Sequence, residues 1–241
     1  MNDISPVFNR VLLKLSGEAL MGSKSFGIDP SILADVAAEV ASVHKLGVQV
    51  AIMIGGGNIF RGLQSSDYGV ERVAADHMGM LATVINAIAL SEALRRVDCA
   101  TRVMTAIEMI KIAEPYVSEK AVDHLLNNRI VVFGGGTGNP FFTTDTAATL
   151  RALEIDAEVL LKATKVDGVY DADPVSDPSA RFFSELTYGE MLKGNLKVMD
   201  MTAVSLAMEH KLPVVVFNLM KKGNIIKVVT GEKTGTSVTG E

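Results

Sequence analysis

Tryptophan is absent, and aromatic residues make up only 5% of the sequence. A protein that grips nucleic acid by stacking bases needs aromatic platforms in a basic groove. A formal net charge of -5 supplies no such field, so no nucleic-acid partner is required. Cysteine is scarce as well: Cys99 stands alone, so it forms no intrachain disulfide, and its apolar surroundings suit a buried small hydrophobe better than a reactive thiol. Long hydrophobic runs are missing. The longest, near residues 81–90, is interrupted by Thr83 and Asn86 and falls short of the roughly 18 residues that span a bilayer. The first ten residues carry Asp3 and Pro6 and show no secretory pattern. The expectation is a cytoplasmic protein without a membrane partner. Its histidines, His44, His77, His124 and His210, lack metal-ligand spacing and read as structural or surface residues.

What is present is ample core material, 48% hydrophobic over 241 residues. Residues 11–15 read as a short apolar strand ending at Ser16-Gly17. Asp29-Pro30 opens a helix, with Asp as N-cap and Pro at the first helical position, and Gly47 ends it. Residues 48–54 form a second apolar strand running into Gly55-Gly56-Gly57. Further strands are expected at 101–104, 130–133 and 159–161, and helices at 73–97, from Ser118, and at 144–154. Strands apolar on both faces belong to a sheet covered by helices on both sides, and the alternation signals right-handed crossovers. The fold expected is α/β: one domain over 1–241, a three-layer α/β/α sandwich with a mostly parallel sheet. Residues 163–180 read as a long Asp- and Pro-rich loop. Thr187 and Glu190 have capping-box spacing, residues 202–211 suggest a helix, and 213–217 and 225–229 suggest strands or a closing helix.

Three strands end in small or glycine-rich turns, at Ser16-Gly17, Gly55 to Gly57 and Gly134 to Gly138. In an open parallel sheet such turns converge beyond the carboxyl ends of the strands, where backbone N–H groups and helix N-termini hold phosphate. Gly22 to Gly27 has the outer spacing of a Walker loop, but Ile28-Asp29 stand where Lys and Ser/Thr are required. Gly136-Thr137-Gly138 continues into Asn139-Pro140-Phe141, which breaks the dinucleotide fingerprint, and no protein-kinase catalytic loop is present. Lys14 and Arg61 carry charge beside the first two turns, suited to neutralising a transferring phosphate. Thr143 and Thr144 offer hydroxyl donors, Phe141 and Phe142 suit a flat base, and Asp145 can orient cations.

Together Lys14-Leu-Ser-Gly-Glu-Ala-Leu, Ile54-Gly-Gly-Gly-Asn58 with Arg61-Gly62, Asp76-His-Met-Gly-Met-Leu81, Gly136-Thr-Gly-Asn-Pro-Phe-Phe-Thr-Thr-Asp145 and Lys162-Ala-Thr-Lys-Val-Asp-Gly-Val-Tyr170 resemble the bacterial UMP kinases of the amino-acid-kinase superfamily, nearly end to end. The resemblance implies transfer of the γ-phosphate of MgATP to UMP in pyrimidine nucleotide synthesis, with Mg²⁺ arriving on the nucleotide. It implies an ATP site at Lys14, Leu15, Ser16, Gly17, Gly57, Arg61, Thr164, Tyr170 and Asp173, mainly within 158–230. It implies a UMP site at Gly56, Asp76, Thr137, Gly138, Asn139, Pro140, Phe141, Phe142, Thr143 and Thr144, mainly within 50–150. Lys14, Arg61 and Asp145 resemble the catalytic group, with Lys162 a further candidate. Homohexamers activated by GTP and inhibited by UTP are implied too, with Gly22, Ser23, Lys24, Ser25, Phe26 and Gly27 resembling the GTP-responsive segment. Two alternatives stand beside this reading: a sister kinase acting on a carboxylate or carbamate, and a nucleotide-binding protein that has lost transfer.

Overall fold

The computed structural model describes residues 5–60, 69–194, 196 and 198–240. β1 (Arg10–Leu15) is the first apolar run. A 3-10 turn over Gly17–Met21 leads to α1 (Pro30–His44), whose cap Asp29 accepts from Ser31 N at 2.9 Å, as the Asp-Pro pair requires. Then come β2 (Gln49–Ile54), α2 (Arg72–Arg95), β3 (Thr101–Thr105), β4 (Glu114–Pro115), α3 (Ser118–Leu126) and β5 (Ile130–Gly134). They are followed by α4 (Thr144–Glu154), β6 (Val159–Thr164), β7 (Val169–Tyr170), β8 (Phe182–Phe183) and β9 (Glu185–Leu186). The chain closes with α5 (Tyr188–Lys193), α6 (Met201–Glu209), β10 (Val214–Asn218), α7 (Asn224–Val229) and β11 (Thr236–Val238).

In the described residues the strands form a nine-stranded sheet in the order β4-β3-β5-β2-β1-β6-β10-β11-β9, parallel except between β10 and β11. Helices α1, α2 and α7 bury their apolar sides on one face, against Val11, Leu13 and Leu15. Helices α3, α4, α5 and α6 cover the other face, against Leu12, Met53 and Leu160. The three layers expected from apolar strands are therefore present.

Several local expectations change. The capping box of α5 forms as read, with Thr187 Oγ1 accepting from Glu190 N at 3.1 Å and Glu190 Oε2 accepting from Thr187 N at 2.8 Å. The loop 163–180 is not featureless, because β7 pairs antiparallel with β8 and Val169 N donates to Thr236 Oγ1 at 2.8 Å. Residues 225–229 take the helical one of the two forms read for them, and Ser118 opens α3 as expected. α2 is long and apolar enough to cross a membrane by length and composition, a property the interrupted run at 81–90 concealed. Here it is a layer of the fold, with Ala87, Leu90 and Leu94 buried against the sheet.

Two features of this architecture prepare the site. From β1 the chain builds outward through β2 on one side and later through β6 on the other, so β1 and β6 straddle a topological switch point. In their parallel register Lys14 lies opposite Lys162, and Leu15 is level with both Ile54 and Ala163. Side chains alternate along a strand, so both lysines share the face of Leu12 and Leu160, under α4.

Candidate active site

The level ends of β1 and β2 bring their turns into contact. Gly55 N donates to Leu15 O at 2.9 Å, and a β-carbon on Gly17 would lie 2.6 Å from Gly55 O and 2.8 Å from Gly57 N. Neither Gly17 nor Gly55, Gly56 and Gly57 has a left-handed φ, so glycine serves close backbone approach in these two turns. The third turn differs. Gly135, Gly136 and Gly138 have φ of 78°, 58° and 80°, a conformation that L side chains resist.

Beneath the turns sits a charge cluster. Lys162 Nζ donates to Asp145 Oδ2 at 2.5 Å, and Lys14 Nζ lies 2.7 Å from Oδ1 as an ion pair off the line of a hydrogen bond. Two ammonium groups opposite each other on neighbouring strands repel. Asp145, in the first turn of α4, offsets that repulsion and is itself favoured there by the helix dipole. Burial alone would raise the Asp145 pKa, but the two lysines outweigh it and hold the carboxyl at about 2. Burial and the charge of Lys14 lower Lys162 from 10.5 to about 8, against the raising effect of Asp145 and Asp200. Lys162, a lesser candidate in the sequence, thus stands as close to Asp145 as Lys14 does.

Asp200 locks this cluster in place, and sequence reading gave it no role. It caps α6 by accepting from Ala203 N at 3.0 Å. It also accepts from Thr146 Oγ1 at 2.9 Å and from Thr143 Oγ1, tying the starts of α4 and α6 together. Thr143, read from the sequence as a hydroxyl donor, has Asp200 as its partner in this structure. Its proton goes to Asp200, while its oxygen accepts from Asp145 N and Thr146 N as the N-cap of α4.

Beside the cluster lies a cavity of about 590 Å³ between α2 and the second and third turns. Gly56, Asp76, Thr137, Asn139, Phe142, Thr143 and Thr144 line it, as do Glu18, Arg72 and Thr83, which the sequence did not single out. Gly138, Pro140 and Phe141 belong to the same loop but do not line it. Of the two phenylalanines read as suited to a flat base, Phe142 lines the cavity and Phe141 does not. Phe141, at φ 73°, turns outward under the Arg72 guanidinium, 5.6 Å from its ring centre. Its N–H donates to Asp76 Oδ2 at 2.8 Å, and Arg72 Nε donates to the same carboxylate at 2.9 Å.

On the other side of the switch point, Leu15 ends β1 and Ser16 and Gly17 follow it, next to Thr164 at the end of β6. The Thr164 hydroxyl donates to Val166 O at 2.7 Å, Tyr170 packs edge-on against Phe182, and Asp173 caps a turn by accepting from Val175 N at 2.9 Å. None of these three lines the cavity. Gly22 and Gly27, with φ of 59° and 83°, bracket the exposed Ser23, Lys24, Ser25 and Phe26. Arg61 lies outside the described residues.

The arrangement sets two closely approached glycine turns and two cations at a strand-end crevice, next to a cavity with polar and aromatic walls. It can align and neutralise phosphates. The sequence matches the amino acid kinase family over residues 9–218. The fold is similar to UMP kinase from Bacillus anthracis, with TM-score 0.93 and 41% identity over 96% of each chain. UMP kinase from Ureaplasma parvum gives 0.90 and 36%, covering 96% of this chain and 98% of that one. Uridylate kinase from Archaeoglobus fulgidus gives 0.75 and 30%, covering 95% and 99%.

Proposed function

The chain belongs to the amino acid kinase family, among its UMP kinases, and from that premise we propose that it transfers the γ-phosphate of MgATP to UMP, giving UDP and ADP. The observation that carries this reading is the Lys14–Asp145–Lys162 cluster at the β1/β6 switch point, beside the 590 Å³ cavity.

At neutral pH the phosphate of a nucleoside monophosphate, with a second pKa of about 6, is mostly a dianion and already nucleophilic. No general base is required. A UMP phosphate oxygen forms the new bond to the γ-phosphorus as the bond to the β,γ-bridging oxygen breaks, and ADP leaves with that electron pair. Lys14 and Lys162 neutralise oxygens of the moving group, and the glycine turns, which carry no side chains, let phosphate oxygens approach the backbone. Asp145 fixes both lysines and stays ionised. Both its oxygens face ammonium groups, so the ligands of Mg²⁺ would come from nucleotide and water, the usual arrangement for a metal carried by phosphates. The magnesium supplies charge neutralisation on the ATP phosphates.

A pH profile follows from these groups. For kcat/KM, which reports free enzyme and free substrate, activity rises through about pH 6 as UMP ionises, by analogy with phosphoesters. It falls above about 8 as Lys162 loses its proton. For kcat the alkaline fall moves higher, because bound phosphates favour the ammonium form. Titration of Lys162 does not produce that fall by unfolding the chain. Between 8 and 10.5 the unfolded chain holds a proton that folded Lys162 has lost, so this group's contribution to stability rises with pH. A kcat/KM that stays flat from pH 7 to about 10 would remove Lys162 from the charge-neutralising role.

The same reading makes the chain one domain. Its acceptor side lies mainly within 50–150, built on the cavity, and its ATP side mainly within 158–230, where Thr164, Tyr170 and Asp173 sit. Family resemblance supports a place in pyrimidine nucleotide synthesis, a cytoplasmic homohexamer, activation by GTP through residues 22–27 and inhibition by UTP. The direct test is ³¹P NMR of the enzyme with MgATP and UMP. UDP and ADP signals are expected to grow together. ADP without UDP would contradict the proposal.

A further inference from the structure

Two buried asparagines outside the cavity join the turns that face it. Asn58 and Asn86 are 2% and 0% exposed, and neither lines the cavity. Asn86, in the middle of α2, donates through Nδ2 to Gly55 O and to Asn58 Oδ1, each at 2.7 Å. Asn58 Nδ2 returns a bond to Asn86 Oδ1 at 3.0 Å and donates to Gly27 O at 3.0 Å, while Gly27 N donates to Asn58 O at 2.8 Å. The carbonyls of Gly55 and Gly27 need donors, which fixes the orientation of both amides. Asn58 Oδ1 also abuts the first turn, only 2.6 Å from where a β-carbon on Gly17 would stand.

We propose that Asn58 and Asn86 are positioning residues: their amide pair sets the spacing of the Gly17 and Gly55–Gly57 turns and ties the exposed 22–27 segment to that spacing. The proposal rests on the phosphoryl-transfer reading for its kinetic consequence alone. A buried amide pair is costly unless fully satisfied, and here every bond ends on the other amide or on a turn. The same face of α2 pins the third turn, because Thr83 Oγ1 accepts from Gly135 N at 2.7 Å. Helix α2 thus holds two of the three turns in register.

Aspartate substitutions separate the two functions of the pair, because a carboxylate accepts and no longer donates. Asn86→Asp loses the bonds to Gly55 O and Asn58 Oδ1 and keeps the bond from Asn58. Asn58→Asp loses the bonds to Gly27 O and Asn86 Oδ1. The full-length variants would be assayed with MgATP and UMP, melted thermally, and digested briefly with trypsin, which reads Lys24. Both variants are expected to lose about tenfold or more in kcat per folded molecule, with KM for each substrate moving less than about threefold, since turn spacing governs alignment. Asn58→Asp alone is expected to speed cleavage after Lys24. Should the aspartates fail to fold, Asn58→Ala and Asn86→Ala carry the same kinetic test without a buried charge. Activity loss that tracks only the unfolded fraction, or cleavage after Lys24 equal in both variants, would overturn the proposal. Failure of the UMP reading itself would show separately, as a parent enzyme that makes no UDP while the trypsin result still holds.

Discussion

Asparagine at position 145 will lower turnover by about a hundredfold to a thousandfold, the usual scale for losing one preorganised electrostatic group. The isosteric change keeps the start of α4, whose cap is Thr143, but removes the anion between Lys14 and Lys162. The two ammonium groups then face each other across adjacent strands with only a neutral amide between them. Lys162 already sits at about 8 because of its burial and of Lys14, and the loss of Asp145 removes the main effect holding it up. Its pKa is therefore expected to fall further, which eases the repulsion and weakens the positive charge of the site. The expected pattern is a lowered but still cooperative thermal midpoint at neutral pH, binding of both nucleotides, and a slow single-turnover rate per folded molecule. The acid side gives a second readout. In the parent, Asp145 contributes stability that is fully present above its unfolded value of 3.8 and is lost as pH falls through about 2. The variant has no such contribution to lose. Turnover within tenfold of the parent would exclude Asp145 from the catalytic group.

The second large effect is steric. Gly17→Ala is expected to cost about a hundredfold in turnover, the scale of an ångström-sized misplacement of reacting groups. The new methyl would meet Asn58 Oδ1 and Gly55 O at 2.6 Å and Gly57 N at 2.8 Å, the last two being backbone atoms that have no rotamer to change. The turns must separate, and the crevice they border changes shape with them. Gly17 does not occupy the left-handed region, so alanine brings no backbone strain of its own and the effect isolates turn spacing. Gly189→Ala is the control, since its methyl would find nothing nearer than Thr187 Oγ1 at 3.9 Å. Full activity in Gly17→Ala would show that close approach of the two turns is irrelevant to catalysis.

These two residues also show how far the sequence could be read. The central strands were legible because a parallel strand covered on both faces is an apolar run, and the convergence of glycine turns follows from strand ends sharing one edge. Asp145 was legible as a helix-opening acid among phosphate-suited residues. Its partner Lys162 was harder to weigh, because its position opposite Lys14 depends on the β1–β6 register between strands about 150 residues apart. Asp200 stands before Met201 where a helix cap belongs, but its bonds to Thr143 and Thr146 join segments that only the fold brings together. For the same reason Asn86 read as a mere interruption of an apolar helix, although a polar residue at a buried helical position was a usable signal. The role of Gly17 was ambiguous for another reason. Positive φ and close approach leave the same letter in a sequence, and only the coordinates separate them. Short elements such as β4, β9 and β11 gave no run long enough to mark, and β7 is held in place by Thr236 far along the chain.

The most direct test of the account is the identity of the acceptor. ADP formation from MgATP, followed with UMP, CMP, AMP, aspartate, acetylglutamate and carbamate in parallel, is expected to proceed with UMP and to remain at background with the others. ADP formed with a carboxylate or carbamate and none with UMP would contradict it, and would mean that the cavity between α2 and the 137–144 loop receives something other than a nucleotide phosphate.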